Sequence, residues 1–144
     1  MKILKYLLLS IILILGIALI AAAILPKQYT ISESIIIKNP LDSVYNYVRF
    51  LDNQKDYSVW ILNDKTTKIK ITGIDGEIGA TQSWVGEESG EGSQTITGLT
   101  KSKMEVDLTF IKPFPGKQKA ANLFEMIDSS STKLTSEFYG NDKF

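Results

Sequence analysis

The chain contains no cysteine and no histidine among its 144 residues. These absences exclude disulfides, zinc sites built on thiolate or imidazole, cysteine nucleophiles and Ser-His-Asp triads. The 16 basic and 16 acidic residues give a formal net charge of zero and a pI near 6.3. A neutral chain lacks the electrostatic attraction on which nucleic-acid binding depends, so we expect no nucleic-acid partner. The length fits one folded domain.

Residues 6–25 form a long apolar stretch in which 18 of the 20 residues are apolar and none is charged. Twenty helical residues span about 30 Å, which is the thickness of the hydrocarbon core of a bilayer. We therefore expect an N-terminal transmembrane anchor at residues 1–26 and a folded domain at residues 27–144. The alternative is a cleaved signal peptide, because Ala21-Ala22-Ala23 satisfies the small-x-small cleavage pattern.

The charges that flank this stretch predict its orientation. Lys2, Lys5 and the N-terminus precede it, whereas Lys27 follows it closely. The positive-inside rule then places the N-terminus in the cytoplasm and the domain outside. We expect a single-pass membrane protein with an extracytoplasmic domain or, after signal cleavage, a secreted domain.

The first part of the domain predicts one strand and two helices. Residues 28–38 are rich in β-branched residues and predict a strand. Asn39 and Pro40 are typical of an N-cap and a first helical residue. Apolar residues then recur at helical spacing, at Leu41, Val44, Tyr45, Val48 and Leu51. A second short helix is expected at residues 57–60.

Six further strands are predicted after residue 64. They cover residues 67–72, 81–85, 93–99, 103–110, 119–127 and 133–139. Apolar and polar residues alternate in the strand at 103–110, so that one of its faces is apolar. Pro113 and Pro115 favour an edge strand or a bulge over a central strand. The predicted fold class is α+β, with an antiparallel sheet of about seven strands and two short helices after the first strand.

Several short motifs accompany this order of elements. They are Asn39-Pro40, Val44-Tyr45-x-Tyr47-Val48, Trp60, Gly79-Ala80-x-x-x-Trp84, Phe110-Ile111-Lys112-Pro113-Phe114 and Phe138-Tyr139-Gly140. Together they resemble the SRPBCC or START-like helix-grip superfamily, and within it the polyketide cyclase/dehydrase-like subgroup that carries an N-terminal membrane anchor. The motifs mark helix starts, turns and packing positions, and none of them is catalytic.

The resemblance also implies a long C-terminal helix that lies across the sheet and closes a cavity. This sequence ends at Phe144, soon after the last predicted strand. We therefore expect a helix-grip sheet without its C-terminal helix, in a chain that is truncated at its C-terminus. The alternative is that a second copy, another partner or the membrane covers the open apolar face, because large exposed apolar patches are unusual in monomers.

The candidate ligand-binding residues share the apolar face of the predicted sheet. They are Trp84, Met104, Val106, Leu108, Phe110 and Phe124. Their periodicity alone indicates core packing. The resemblance implies instead that they line a cavity, because helix-grip proteins use this face to hold lipids or other apolar small molecules. Tyr45, Tyr47, Tyr57 and Asn122 are candidates for polar contacts in such a cavity.

The acidic residues predict no chemistry of their own. Glu87, Glu88 and Glu91 share one turn without the ligand spacing of an EF-hand, and Asp64 is interpreted as a helix cap. We therefore expect no metal, no cofactor and no catalytic residue.

The predicted function is a membrane-anchored binding module for a lipid or another apolar small molecule. One alternative is an enzyme that resembles the polyketide cyclases, in which Tyr, Asp, Glu or Lys would transfer protons. Another is a protein-interaction or stress-response module that uses the open sheet face.

Overall fold

The computed structural model describes residues 2–24 and 28–141. Its first element is the helix α1 (Lys2–Ile24). In the two described ranges, no helix meets the length and hydropathy of a membrane span. Residues 25–27 lie outside the described residues, and they include the predicted boundary between anchor and domain. The last three residues of the chain also lie outside them.

A seven-stranded antiparallel sheet makes up most of the domain. In chain order its strands are β1 (Gln28–Ile37), β2 (Lys68–Thr72), β3 (Thr81–Gly86), β4 (Gly90–Thr100), β5 (Lys103–Lys112), β6 (Gly116–Asp128) and β7 (Ser131–Asn141). Their order across the sheet is β1-β7-β6-β5-β4-β3-β2. Strands β2 to β7 therefore follow one another as hairpins, and β1 pairs with the last strand. The predicted α+β class with about seven strands is confirmed.

Three short helices connect β1 to β2. They are α2 (Leu41–Val48), a 3₁₀ helix (Leu51–Asp56) and α3 (Val59–Asn63). The predicted N-cap at Asn39 is wrong, because Pro40 occupies that position and its carbonyl accepts the backbone N–H of Val44 (3.1 Å). The carbonyl of Asn39 instead accepts the Thr132 hydroxyl (2.9 Å), which ties the start of α2 to β7.

The turn between β5 and β6 contains Pro113 and Pro115. Both strands lie inside the sheet, so of the two predicted alternatives the edge strand is wrong, and the bulge is the one that agrees with the structure. A turn residue donates no hydrogen bond to the strand ladder, and a proline is therefore accommodated there. A register shift of the β4–β5 pair lies close by, between Glu91 and Gly92.

The hydrophobic core lies between these helices and one end of the sheet. Its buried members are Val44, Val48, Leu51, Ala80, Ile96, Met104, Val106 and Phe124. Val44 and Val48 are four residues apart and so lie on one face of α2. Leu51, at the start of the 3₁₀ helix, is fully buried. Helix α2 contacts β6 and β7, whereas the 3₁₀ helix contacts β3.

Candidate functional site

The six candidate residues lie on one face of the sheet, which we call the inner face. It is the face of Met104, Val106, Leu108 and Phe110 in β5, together with the residues that pair with them. Directly paired residues of antiparallel strands point to the same side. On β6 the paired residues are Asn122, Ala120, Gln118 and Gly116. The periodicity of the sequence thus identified one continuous face, which all seven strands extend.

Three of the candidates belong to the packed core. Met104, Val106 and Phe124 are between 1% and 6% exposed and belong to the cluster that includes residues of α2. The ring of Tyr45, one of the polar candidates, packs edge-on against Phe124 at 5.3 Å between centroids. This is the core packing that their periodicity alone indicated, and a role in a ligand cavity stays a prediction for these three residues.

The other three candidates lie toward the opposite end of the inner face and are half-buried. Trp84 and Phe110 flank Gly92 on neighbouring strands, and their rings meet edge to face at 6.1 Å. A Cβ atom at Gly92 would overlap the Trp84 ring. Glycine at this position therefore lets the indole lie flat across β4.

A second ring lies over a glycine at the far side of the sheet. Tyr29 of β1 pairs with Gly140 of β7, and a Cβ atom at Gly140 would overlap the tyrosine ring. Tyr29 remains 42% exposed. Sequence reasoning missed Tyr29 as a site residue, because the residues that form this pair are separated by almost the whole domain.

An open groove of about 610 Å³ lies at the end of the sheet that holds Tyr29. Its lining comes from four adjacent strands: Gln28, Tyr29, Thr30, Asp107, Leu108, Thr109, Lys117, Gln118, Lys119, Tyr139 and Gly140. Leu108 is the predicted site residue that the structure places in this lining. Tyr29 and Leu108 contribute apolar groups from the inner face. The lysines and Asp107 alternate with inner-face residues and contribute charged groups from the outer face, so the lining includes residues of both faces.

A glutamine cluster forms the first polar part of the inner face. Gln94 donates through Nε2 to Oε1 of Gln82 and to Oε1 of Gln54, each at 2.6 Å. Gln82 in turn donates to the Leu51 carbonyl (2.8 Å). These bonds connect β3 and β4 to the 3₁₀ helix. Sequence reasoning missed the cluster, although Gln82 shares the alternating face of Trp84 two residues later.

A second polar part crosses β6, β7 and β1. The Ser136 hydroxyl donates to Oδ1 of Asn122 (2.7 Å), and Ser136 pairs in register with Glu33. Asn122 was the polar candidate of the sequence analysis that belongs to the sheet, and the structure places it on the inner face. Its register partner on β5 is Met104.

The tyrosine candidates Tyr47 and Tyr57 lie beside the 3₁₀ helix, away from the strands. The hydrogen bond that Tyr47 donates to Asp56 (2.8 Å) raises the pKa of Tyr47. Desolvation raises the pKa of Tyr57 to about 12, although the residue is 41% exposed. Both phenols therefore stay protonated at neutral pH and can donate hydrogen bonds.

Asp64 lies at the C-cap position of α3, in agreement with the predicted cap, and its carboxylate has a further structural role. Its carboxylate accepts the backbone N–H groups of Thr66 (2.9 Å), Glu88 (3.0 Å) and Ser89 (2.8 Å). These hydrogen bonds hold the pKa of Asp64 well below its usual range. The largest effect comes from the Thr66 hydroxyl, and the second largest comes from the backbone N–H of Ser89. Asp64 thus fastens the loop before β2 to the turn between β3 and β4. Among the described residues, no three carboxylates are placed to share a metal ion.

Comparison with known proteins gives similarity at the level of structure. No family model matches the chain, and no curated protein matches it in sequence. The solved structure of Ara h 8.0201 is similar with a TM-score of 0.60 and 13% identity, over 81% of this chain and 79% of that one.

Two further solved structures have a similar fold. Norcoclaurine synthase from Thalictrum flavum has a TM-score of 0.63 at 12% identity, over 81% of this chain and 77% of that one. A protein from Thermobifida fusca has a TM-score of 0.59 at 13% identity, over 78% and 74%. Identities this low establish the fold alone. The chain therefore has the Bet v 1-like helix-grip fold, as the resemblance implied.

Proposed function

We propose that the domain binds an apolar small molecule, a lipid or an aromatic compound, in the open groove at the end of its sheet that holds Tyr29. The observation that carries this proposal is the groove of about 610 Å³ beside Tyr29, whose ring lies over Gly140. Small-molecule sites commonly have volumes of about 300–1,000 Å³ and mostly apolar walls with a few polar groups. Gln118 and Thr109 supply polar groups in the lining.

The apolar groups around the groove favour a ligand with a large apolar surface. Ile31 is 54% exposed and Tyr29 is 42% exposed, so a ligand that covers them removes apolar surface from water. Each square ångström removed contributes about 25 cal/mol. A structure of norcoclaurine synthase, which shares the fold, is described as a complex with dopamine and hydroxybenzaldehyde. Small aromatic molecules of this kind are suitable first probes.

Native mass spectrometry of the full chain, released from detergent micelles, tests this proposal. We expect the wild-type protein to retain an adduct of small-molecule mass. Leu108→Trp fills the groove and should abolish the adduct. Glu105→Trp is the matched control, because it adds the same ring to an exposed outer-face position of the same strand that does not line the groove. A wild-type chain without adduct, or equal adducts in both variants, would contradict the proposal.

Fluorescence gives a second readout for added ligands. The chain has two tryptophans, and Trp60 is 76% exposed on α3. In a Trp60→Phe background the remaining emission comes from Trp84 at the inner face. We expect titration with hydroxybenzaldehyde to quench this emission in a saturable way. A linear response, which indicates collisional quenching alone, counts against binding.

We further propose that residues 6–25 anchor the domain to a membrane, with the domain on the extracytoplasmic side. The support is the composition of this range and the lysines at positions 2 and 5. We expect the full chain to stay in the membrane fraction after alkaline carbonate washing, and the variant Leu13→Lys/Ile14→Lys to be released. Release of the wild-type chain contradicts anchoring, and a shortened wild-type chain supports signal cleavage instead.

A further inference from the structure

The β5–β6 hairpin exposes an aromatic side chain to a degree that packing does not explain. Phe114 is 83% exposed, the highest value among the large apolar side chains that the structure describes. Pro113 and Pro115 flank it. A single exposed apolar residue is ordinary on a protein surface. Exposure alone therefore does not indicate a binding role for Phe114, and such a role depends on where the residue lies in the fold.

Strand register places the hairpin at the same end of the sheet as the start of β1. Thr30 pairs with Tyr139, and Tyr139 pairs with Lys119. Gln28 and Lys117, each two residues closer to that end, both line the groove. Phe114 lies three residues beyond Lys117, in the turn between β5 and β6, so the hairpin tip extends past the groove by at most about 10 Å at about 3.3 Å per residue.

The apolar N-terminal stretch is attached at this end. Ile24, the last residue of α1, precedes Gln28 by four residues. A chain covers at most about 3.6 Å per residue, so these two residues lie within about 14 Å of each other. If residues 6–25 lie in a bilayer, as proposed above, the hairpin tip is held within reach of the lipid surface.

The charges near the tip indicate an apolar contact rather than an electrostatic one. Lys112 pairs with Glu91 (Nζ–Oε2 3.1 Å), Lys117 lies at the start of β6, and Glu87 and Glu88 lie in the adjacent turn. This mixture has no net attraction for anionic lipids. The exposed ring of Phe114 therefore carries the contact, and zwitterionic lipid is sufficient for it.

We propose that the hairpin tip, residues 113–115, is a second membrane contact in which Phe114 inserts among the lipid headgroups. This proposal rests on the anchoring of residues 6–25 and goes beyond it. Together the two contacts hold the open groove next to the bilayer, so that an apolar ligand passes between lipid and groove with little exposure to water.

The absence of cysteine in the natural chain makes a direct test possible. Phe114→Cys and Met126→Cys each provide one labelling site for an environment-sensitive fluorophore. Met126 is the matched control, because it is also an exposed apolar residue (64%) and lies near the other end of β6. In full chains reconstituted into phosphatidylcholine vesicles, we expect blue-shifted emission and quenching by spin-labelled lipid at position 114 alone. Equal quenching at both positions overturns the proposal.

A second pair of chains tests the phenylalanine itself, because a fluorophore at position 114 is apolar too. Lys117→Cys is labelled in a chain that keeps Phe114 and in one that also carries Phe114→Ser. We expect lipid quenching at position 117 to fall in the serine chain and to be insensitive to salt. Unchanged quenching overturns the role of Phe114.

Carbonate washing of the same vesicles separates this proposal from the anchoring on which it rests. Chains that resist the wash without quenching at position 114 contradict the hairpin contact alone. Chains that the wash removes contradict the anchor, and the hairpin contact with it. Ligand binding is scored independently by the adduct measurement on the unlabelled chain.

Discussion

The two ends of the inner face differ in what lies over them, although the same strands form both. At the helix end, Met104 and Phe124 are 1% and 3% exposed beneath α2 and the 3₁₀ helix. At the groove end, Tyr29 and Ile31 are 42% and 54% exposed. Alternation along a strand therefore identifies an apolar face but does not show which part of it is packed. The helix end supplies stability, and the groove end is open to solvent.

Phe124→Ala should have the largest effect. The ring is buried against Tyr45, and truncation of a buried phenylalanine costs about 3–5 kcal/mol of unfolding free energy. Denaturant unfolding of the full chain in detergent measures the loss. A loss below about 1 kcal/mol would mean that the helix end is not packed as described.

Asp64→Asn should come next, because it removes the charge that four hydrogen bonds stabilise. The pKa of Asp64 is lowered in the folded state, so its contribution is complete above the ordinary carboxyl pKa of about 3.9. It is lost as the pH falls from that value toward the lowered pKa. We expect thermal melts of the two proteins to differ at pH 7 and to converge below about pH 4. A constant difference across this range would falsify the assignment.

Gln94→Leu should have an intermediate effect at the boundary between the two ends. It removes the donor to Oε1 of Gln82 and to Oε1 of Gln54, and an unsatisfied buried polar group costs about 1–3 kcal/mol. Ser93→Ala, on the outer face of the same strand, is the control and should change stability little. Equal unfolding midpoints for the two variants contradict the cluster.

Ile31→Ser should have the smallest effect and probes the open end directly. A substitution at an exposed position usually changes stability by less than about 0.5 kcal/mol. The same denaturant measurement detects any larger loss. A cost of about 2 kcal/mol or more would show that a partner or a further segment covers this end in solution, and the comparison would then be wrong.

Much of this architecture could be predicted from local pattern. The alternation of Met104 to Phe110 identified β5 and its apolar face, and turn residues located the hairpins within a few residues. The resemblance implied the helix-grip fold. Which of these apolar residues are buried could not be predicted, because that depends on where α2 and the 3₁₀ helix lie.

The missed features all depend on contacts distant in sequence. Gln54 meets Gln94 across 40 residues, and Tyr29 meets Gly140 only when the first strand pairs with the last. Asparagine is a preferred residue at N-caps, but Asn39 lies one residue before the N-cap, and its carbonyl accepts a hydrogen bond from the Thr132 hydroxyl, 93 residues away. In each case the position of the residue is determined by a contact distant in sequence, which the local residue pattern does not contain.

The pairing of β1 with β7 also constrains how the protein is made. The Ser34 and Thr135 hydroxyls meet across 101 residues, so β1 leaves the ribosome long before its partner strand is synthesised. Closing such a long loop is slow, because non-local contacts stabilise the chain only after its entropy has been reduced. During translation the isoleucine-rich β1 segment therefore has no partner strand until β7 has been synthesised. Pairing with β7 therefore also removes an exposed strand edge with which another copy of the chain could pair.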